Sequence, residues 1–190
     1  KVTKDDLSIY NYTNKTHYGN GWDFWTLCAR GVVIDTANKK IVALTMPKFF
    51  NLTEVKTSVP PQPYEIFEKI DGSLVNLFYY RNKWQATTKG CFDNDEITWT
   101  LDQLKNHIGI QYLDQDTTYC LECICPQNPK VVVYEENGLY LLSAYRLSDG
   151  KEIGTTLLDS VGNAAGFKRP QVFETSNFTK IYPSLATIEN

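Results

Sequence analysis

A lysine, an acid and a glycine at the spacing Lys69-Ile70-Asp71-Gly72, followed by Ser73, carry more chemistry than any other stretch of this sequence. An amine held in a turn can be partly desolvated, and desolvation favours its neutral, nucleophilic form. Gly72 allows the backbone to approach a ligand closely, and Ser73 offers a hydroxyl. Strand formers flank the motif, Tyr64-Glu65-Ile66-Phe67 before it and Leu74 to Tyr80 after it, so its plainest reading is a hairpin turn. Other charges sit where a half-buried sheet has no need of them. Arg30 opens the apolar run Gly31-Val32-Val33-Ile34, Lys48 lies between Pro47 and Phe49-Phe50, and Lys89 precedes Gly90 at a strand end. Any one of these is ordinarily a snorkelling or solvated charge. Glu122 differs: inside Tyr119-Cys120-Leu121-Glu122-Cys123-Ile124 an acid needs a partner.

The elements that must position these groups follow from periodicity. Gly31–Asp35 and Lys40–Thr45 read as a hairpin about the Thr36-Ala37-Asn38 turn, and Lys83–Thr88 as a further strand of the lysine meander. Residues 55–63, with three prolines, read as a loop. The pattern predicts a helix from Asp93 to His107, capped by Asp93 or Asn94, with Ile97, Leu101 and Leu104 on one face. Strands are expected at 118–124, 130–134 and 139–146, a helix at 155–165 closing near Gly166, and a helical tail after Pro183. The class is α+β with mostly antiparallel sheets, and 190 residues fit a single domain.

Composition narrows the partners. At 42% hydrophobic and 22% charged residues the chain is expected to fold. A net charge of -3 excludes indiscriminate coating of nucleic acid but leaves room for a local basic groove. No apolar run is long enough to span a membrane and no signal peptide is visible, so the expected location is the cytoplasm (the host's, for a viral chain). On that reading the four Asn-x-Thr triplets go unused. Five cysteines, an odd number in a chain too large to need stapling, read as reduced thiols. Cys120-x-x-Cys123-x-Cys125 has metal-ligand residue types. Strand alternation, however, sets Cys120 opposite Cys123 and Cys125, and no second cluster completes four ligands.

Taken together, these segments resemble the phage-type ATP-dependent RNA ligases of the covalent nucleotidyltransferase superfamily. Lys69-Ile70-Asp71-Gly72 matches the nucleophile motif Lys-x-Asp-Gly that the whole superfamily shares. Four further matches are narrower: Tyr10-Asn11-Tyr12, Arg30-Gly31, Pro47-Lys48-Phe49-Phe50-Asn51, and Glu122 followed by Pro126-Gln127-Asn128 and the run to Tyr134. The resemblance implies a nucleotidyltransferase core of antiparallel sheets and flanking helices. It implies Lys69 as the catalytic nucleophile, with Tyr10, Arg30, Lys48 and Glu122 at the nucleotide, and Lys89 as a phosphate or RNA contact. Glu122 is also the candidate metal ligand. ATP and Mg2+ or Mn2+ are the implied cofactors, and RNA with a 5′-phosphate and a 3′-hydroxyl, tRNA among the candidates, is the implied partner. In the notional reaction Arg30 and Lys48 also favour the neutral amine of Lys69. Tyr145 is expected either to stack on adenine or to sit in the core.

The sequence departs from the family in one respect. The Glu-Gly and Lys-x-Lys strands expected after the matched segments are not found before Asn190, so residues 1–190 read as an adenylyltransferase domain truncated before them, with a C-terminal segment of the parent ligase missing. Two other readings stay open: a catalytically silent nucleotide or RNA-end binding module on this scaffold, and a capping or DNA-sealing relative.

Overall fold

The computed structural model describes residues 1–19, 21–51, 54, 64–106, 108–128 and 134–173. The chain divides into two compact units, Lys1–Lys48 with Asp71–Arg169, and Phe49–Ile70 with Pro170–Asn190. Among the described residues no helix is long and apolar enough to cross a membrane.

In the first unit, β1 (Val2–Lys4), β2 (Leu7–Asn11), β3 (Arg30–Asp35) and β4 (Lys40–Ala43) form an antiparallel sheet in that order. Two five-residue helices, α1 (Asn14–Tyr18) and α2 (Phe24–Cys28), lie between β2 and β3. Thr13 caps α1, and Asp23 and Thr26 form a reciprocal capping box on α2. The second unit contributes β5 (Ile66–Phe67), paired antiparallel with the last strand, β10 (Val172–Phe173).

The remaining strands of the first unit make a second antiparallel sheet: β6 (Ser73–Tyr80), β7 (Lys83–Thr88), β8 (Thr117–Ile124) and β9 (Gly138–Arg146), ordered β7-β6-β8-β9. Arg81 and Asn82 join β6 to β7 with φ of 50° and 61°, the left-handed pair that a tight hairpin turn demands. Alternation along these strands builds two cores. Val75, Leu77, Tyr119, Leu121 and Leu141 pack against Ile97 and Leu104 of α3 (Asp95–Asn106) and Leu158 and Ala165 of α4 (Thr155–Ala165). From the opposite face of β6, Phe78 is fully buried among Leu7, Ile9, Val33, Val42 and Ala43 of the first sheet. Burial of that ring stabilises the sheet pair by about 1.5–3 kcal/mol. The Tyr80 hydroxyl adds a polar tie, donating to Asp35 Oδ2 at 2.7 Å.

The expected strands 31–35, 83–88, 118–124 and 139–146 are present, shifted by at most one residue at an end, while the strand read over 40–45 stops at Ala43. α4 has the expected bounds, closed by Gly166 at φ 86°. Asn94, whose Oδ1 accepts from Ile97 N–H at 2.9 Å, is the cap of α3. One expectation is corrected. The strands flanking Lys69 do not make a hairpin with each other: β5 pairs with β10, and β6 pairs with β7 and β8. Lys69 therefore lies on a connection between two sheets. The expected loop at 55–63, the strand at 130–133 and the tail helix fall outside the described residues.

Candidate active site

The segment that follows Lys69 is held by Tyr134, Glu122 and Glu96, and Asn128 braces Glu96. Asp71 N–H donates to the Tyr134 hydroxyl at 2.7 Å, and Gly72 N–H donates to Glu122 Oε1 at 3.0 Å. Ser73 Oγ–H donates to Glu96 Oε1 at 3.0 Å, and the Asn128 amide donates to the same oxygen. β8 supplies Glu122, the segment after it supplies Asn128 and Tyr134, and the first turn of α3 supplies Glu96. Glu122 thus has the partner its position demanded. Gly72 is required by space: a Cβ there would lie 2.6 Å from Cys123 O and 2.7 Å from Ile124 Cδ1. Lys69 itself is exposed.

A second group gathers at the ends of β2, β3 and β7. Arg30 begins β3, half-buried and in register with Asn11. Asn11 Nδ2 donates to Lys89 O at 2.6 Å, and Gly31, at φ 110°, lets the Lys89 backbone approach so closely that a Cβ would sit 3.2 Å from Lys89 Cα. Lys89 Nζ donates to the Tyr12 hydroxyl at 3.0 Å and lies 4.3 Å from the ring centroid. Tyr12 meets Trp22 edge-on at 4.9 Å, and Lys48 Nζ lies 6.0 Å from Trp22. Arg30, Lys48 and Lys89 are therefore linked through Asn11, Tyr12 and Trp22. Tyr10 is half-buried one residue along β2, with Lys1 Nζ 5.5 Å from its ring.

Between the sheets, both amide atoms of Asn76 and the hydroxyl of Thr87 are buried with no partner among the described residues. Asn76 faces Thr87 across the β6–β7 ladder and Cys120 across β6–β8, and its Nδ2 would be 3.4 Å from a Cβ on Gly31. Buried polar atoms ordinarily bind something, and with Asn76 and Thr87 fully covered the group that fits here is an internal water.

Cys120 lies on this side of β8, and burial pushes its thiol up to about 11. Cys123 lies on the other side, where burial raises its pKa, and Thr100 Oγ1 bonds its sulfur at 3.7 Å. All five cysteines are free. Tyr145 is buried on β9, and desolvation raises its hydroxyl above the usual range.

The sequence reading missed Glu96, Asn76 and Thr87. Glu96 could have been noticed, because it shares the inward face of α3 with Ile97, Thr100 and Leu104. Asn76 offered a similar signal, a lone polar residue between Val75 and Leu77 in an apolar strand.

The model of the phage-type RNA ligase family matches residues 28–190. The chain is 24% identical over 216 aligned residues to a protein assigned as a bifunctional polynucleotide kinase/RNA ligase in Autographa californica nuclear polyhedrosis virus. That alignment covers 99% of this chain and 30% of the viral protein. Two solved structures share the fold. An archaeal ATP-dependent RNA ligase aligns with TM-score 0.51 and 17% identity over 64% of this chain and 36% of its own. A protein assigned as an ATP-dependent DNA ligase of Aquifex aeolicus aligns with TM-score 0.60 and 19% identity, over 84% and 46%. The fold is that of the nucleotidyltransferase core of ATP-dependent ligases. With the matched family model spanning most of its length, this chain belongs to the phage-type RNA ligase family.

Proposed function

We propose that the protein is an ATP-dependent RNA ligase whose nucleophile is Lys69. The observation that carries this reading is the grip on Asp71, Gly72 and Ser73 by Tyr134, Glu122 and Glu96, immediately after that lysine, in a member of the family. Three directional hydrogen bonds on three successive residues, one of their acceptors braced by Asn128, exceed what an ordinary connection needs. They make sense where the residue before them must meet a reacting atom in one geometry.

The Lys69 amine attacks the α-phosphorus of ATP, a P–N bond forms, the bond to the β-phosphate oxygen breaks, and pyrophosphate departs. The amine proton passes to solvent. The AMP then moves from Lys69 to an RNA 5′-phosphate, and a 3′-hydroxyl displaces AMP to seal the strand. Each step is an in-line displacement assisted by positioning and charge neutralisation. Arg30, Lys48 and Lys89 neutralise phosphates, and Tyr10 receives the nucleoside. Glu122 holds Gly72 with one oxygen. A carboxylate has further lone pairs for a ribose hydroxyl or a metal. Among the described residues no three His, Cys, Asp or Glu side chains gather to hold an ion. A Mg2+ or Mn2+ ion would therefore be held chiefly by nucleotide phosphates with Glu122, supplying charge neutralisation at the reacting phosphate.

The test offers ATP, Mg2+ and two acceptors, 5′-phosphorylated single-stranded RNA and nicked duplex DNA. Sealing of the RNA in strong preference is the expected result. Equal sealing of the DNA would move the protein to the DNA-joining branch, and binding without adenylylation of either acceptor would make it a silent end-binding module.

A further inference from the structure

Residues 12–28 carry an aromatic surface that the core does not explain. Neither α1 nor α2 buries a single side chain. Yet Tyr18 is 82% exposed, Trp25 75% and Phe24 68%. Scattered exposed rings are ordinary, whereas connected ones mark contact sites. Here they connect. Tyr18 meets His17 edge-on at 4.8 Å, and His17 lies stacked 6.0 Å from Tyr12 and edge-on 6.2 Å from Trp22. At the inner end of this ladder stand two cations, Lys89 over Tyr12 and Lys48 near Trp22. Beside it in sequence, Phe24 and Trp25 pack edge to face at 5.2 Å.

We propose that this ladder is a track for single-stranded RNA, and the inference rests on the ligase reading above. Bases stack on Tyr18, His17 and the Phe24–Trp25 pair, and the lysines at the inner end take backbone phosphates of the strand entering the site. Stacking rings interleaved with cations are what a strand with exposed bases and charged phosphates recognises. Aromatic rings suit either kind of partner, and the two lysines decide between them: protein interfaces deplete Lys, whereas a strand with charged phosphates recruits it. The one acid in residues 12–28, Asp23, is turned to capping α2, its Oδ1 accepting from Thr26 N–H at 2.7 Å.

The rings at the outer end can be removed without opening a core. The test compares the protein with Tyr18→Ala and with a Phe24→Ala/Trp25→Ala double variant. Affinity for a fluorescent single-stranded 12-mer RNA and for a duplex RNA of the same length is read by anisotropy, and lysyl-AMP by intact mass in the same samples. The expected result is a loss of about tenfold in single-strand affinity per variant, with duplex affinity and lysyl-AMP unchanged. Unchanged single-strand affinity overturns the track while leaving the ligase reading intact. Equal losses for duplex and single strand also overturn it. Loss of self-association on sedimentation, with RNA affinity unchanged, would instead give the surface to a second copy of the chain. Absence of lysyl-AMP from the unsubstituted protein would count against the ligase reading alone, because the affinity comparison still decides the track.

Discussion

The Glu122 carboxylate holds the Gly72 N–H at 3.0 Å, joining β8 to the residue three positions after Lys69. The two lie 50 residues apart in sequence, and Gly72 packs so closely on Cys123 and Ile124 that side chain and backbone are fixed together. In the proposed reaction Glu122 would act through position as well as through charge.

Two substitutions separate those contributions. Glu122→Gln keeps an oxygen for Gly72 and should retain more lysyl-AMP formation than Glu122→Ala, which strands a donor at a cost of about 1–3 kcal/mol. Gly72→Ala must displace backbone and should cost about 1–3 kcal/mol of stability, as overpacking does. Single-turnover adenylylation rates beside thermal melts check both. Equal rates for the Gln and Ala variants would mean that Gly72 does not depend on this oxygen.

The acid limb of stability should depend on Asp35. Hydrogen bonds from the Asn38 side chain and backbone, and then from Tyr80, hold its carboxyl well below the usual carboxylate range. A depressed carboxylate contributes stability above its unfolded value of about 3.9 and loses it as pH falls below that. Asp35→Asn should therefore lower the melting temperature at pH 7 and shrink the fall in stability between about pH 4 and pH 2. Tyr80→Phe should act in the same direction, more weakly. A variant with an unchanged acid limb would remove Asp35 from the account.

Thiol chemistry should sort the cysteines by burial. Cys91 is exposed and Cys28 half-buried, whereas Cys120, Cys123 and Cys125 are buried, with the Cys120 thiol pushed up to about 11. Native labelling with a maleimide at pH 7.5 should modify Cys91 first, Cys28 slowly, and Cys120, Cys123 and Cys125 only after unfolding. Rapid labelling of Cys120 in the folded protein would contradict its placement.

What the sequence disclosed was mostly local. Alternation placed β6, β7, β8 and β9, and the left-handed glycine closed α4. Glu122 was visible as an acid that needed a partner, but the partner, Gly72, came from the bend before β6, and one-dimensional spacing does not point to it. The same gap produced the false hairpin at Lys69, because alternation marks a strand without naming its neighbour. β5 found its mate more than a hundred residues away. Glu96 was hidden for a different reason. An acid in the first turn of a helix already has an explanation in the helix dipole, so its bond to Ser73 was masked. α1 has no apolar stripe, α2 is too short at five residues for Phe24, Leu27 and Cys28 to declare a period, and their caps alone were too weak a signal.

The claim that Lys69 becomes covalently adenylylated is tested most directly by intact mass after incubation with ATP and Mg2+, set beside Lys69→Ala and Lys69→Arg. The account predicts one added AMP on the unsubstituted protein, removed by excess pyrophosphate with release of ATP and restored by fresh ATP once the pyrophosphate is taken away, and none on either variant. An AMP adduct of equal yield on Lys69→Ala, or ATP bound with no adduct on the unsubstituted protein, would contradict it.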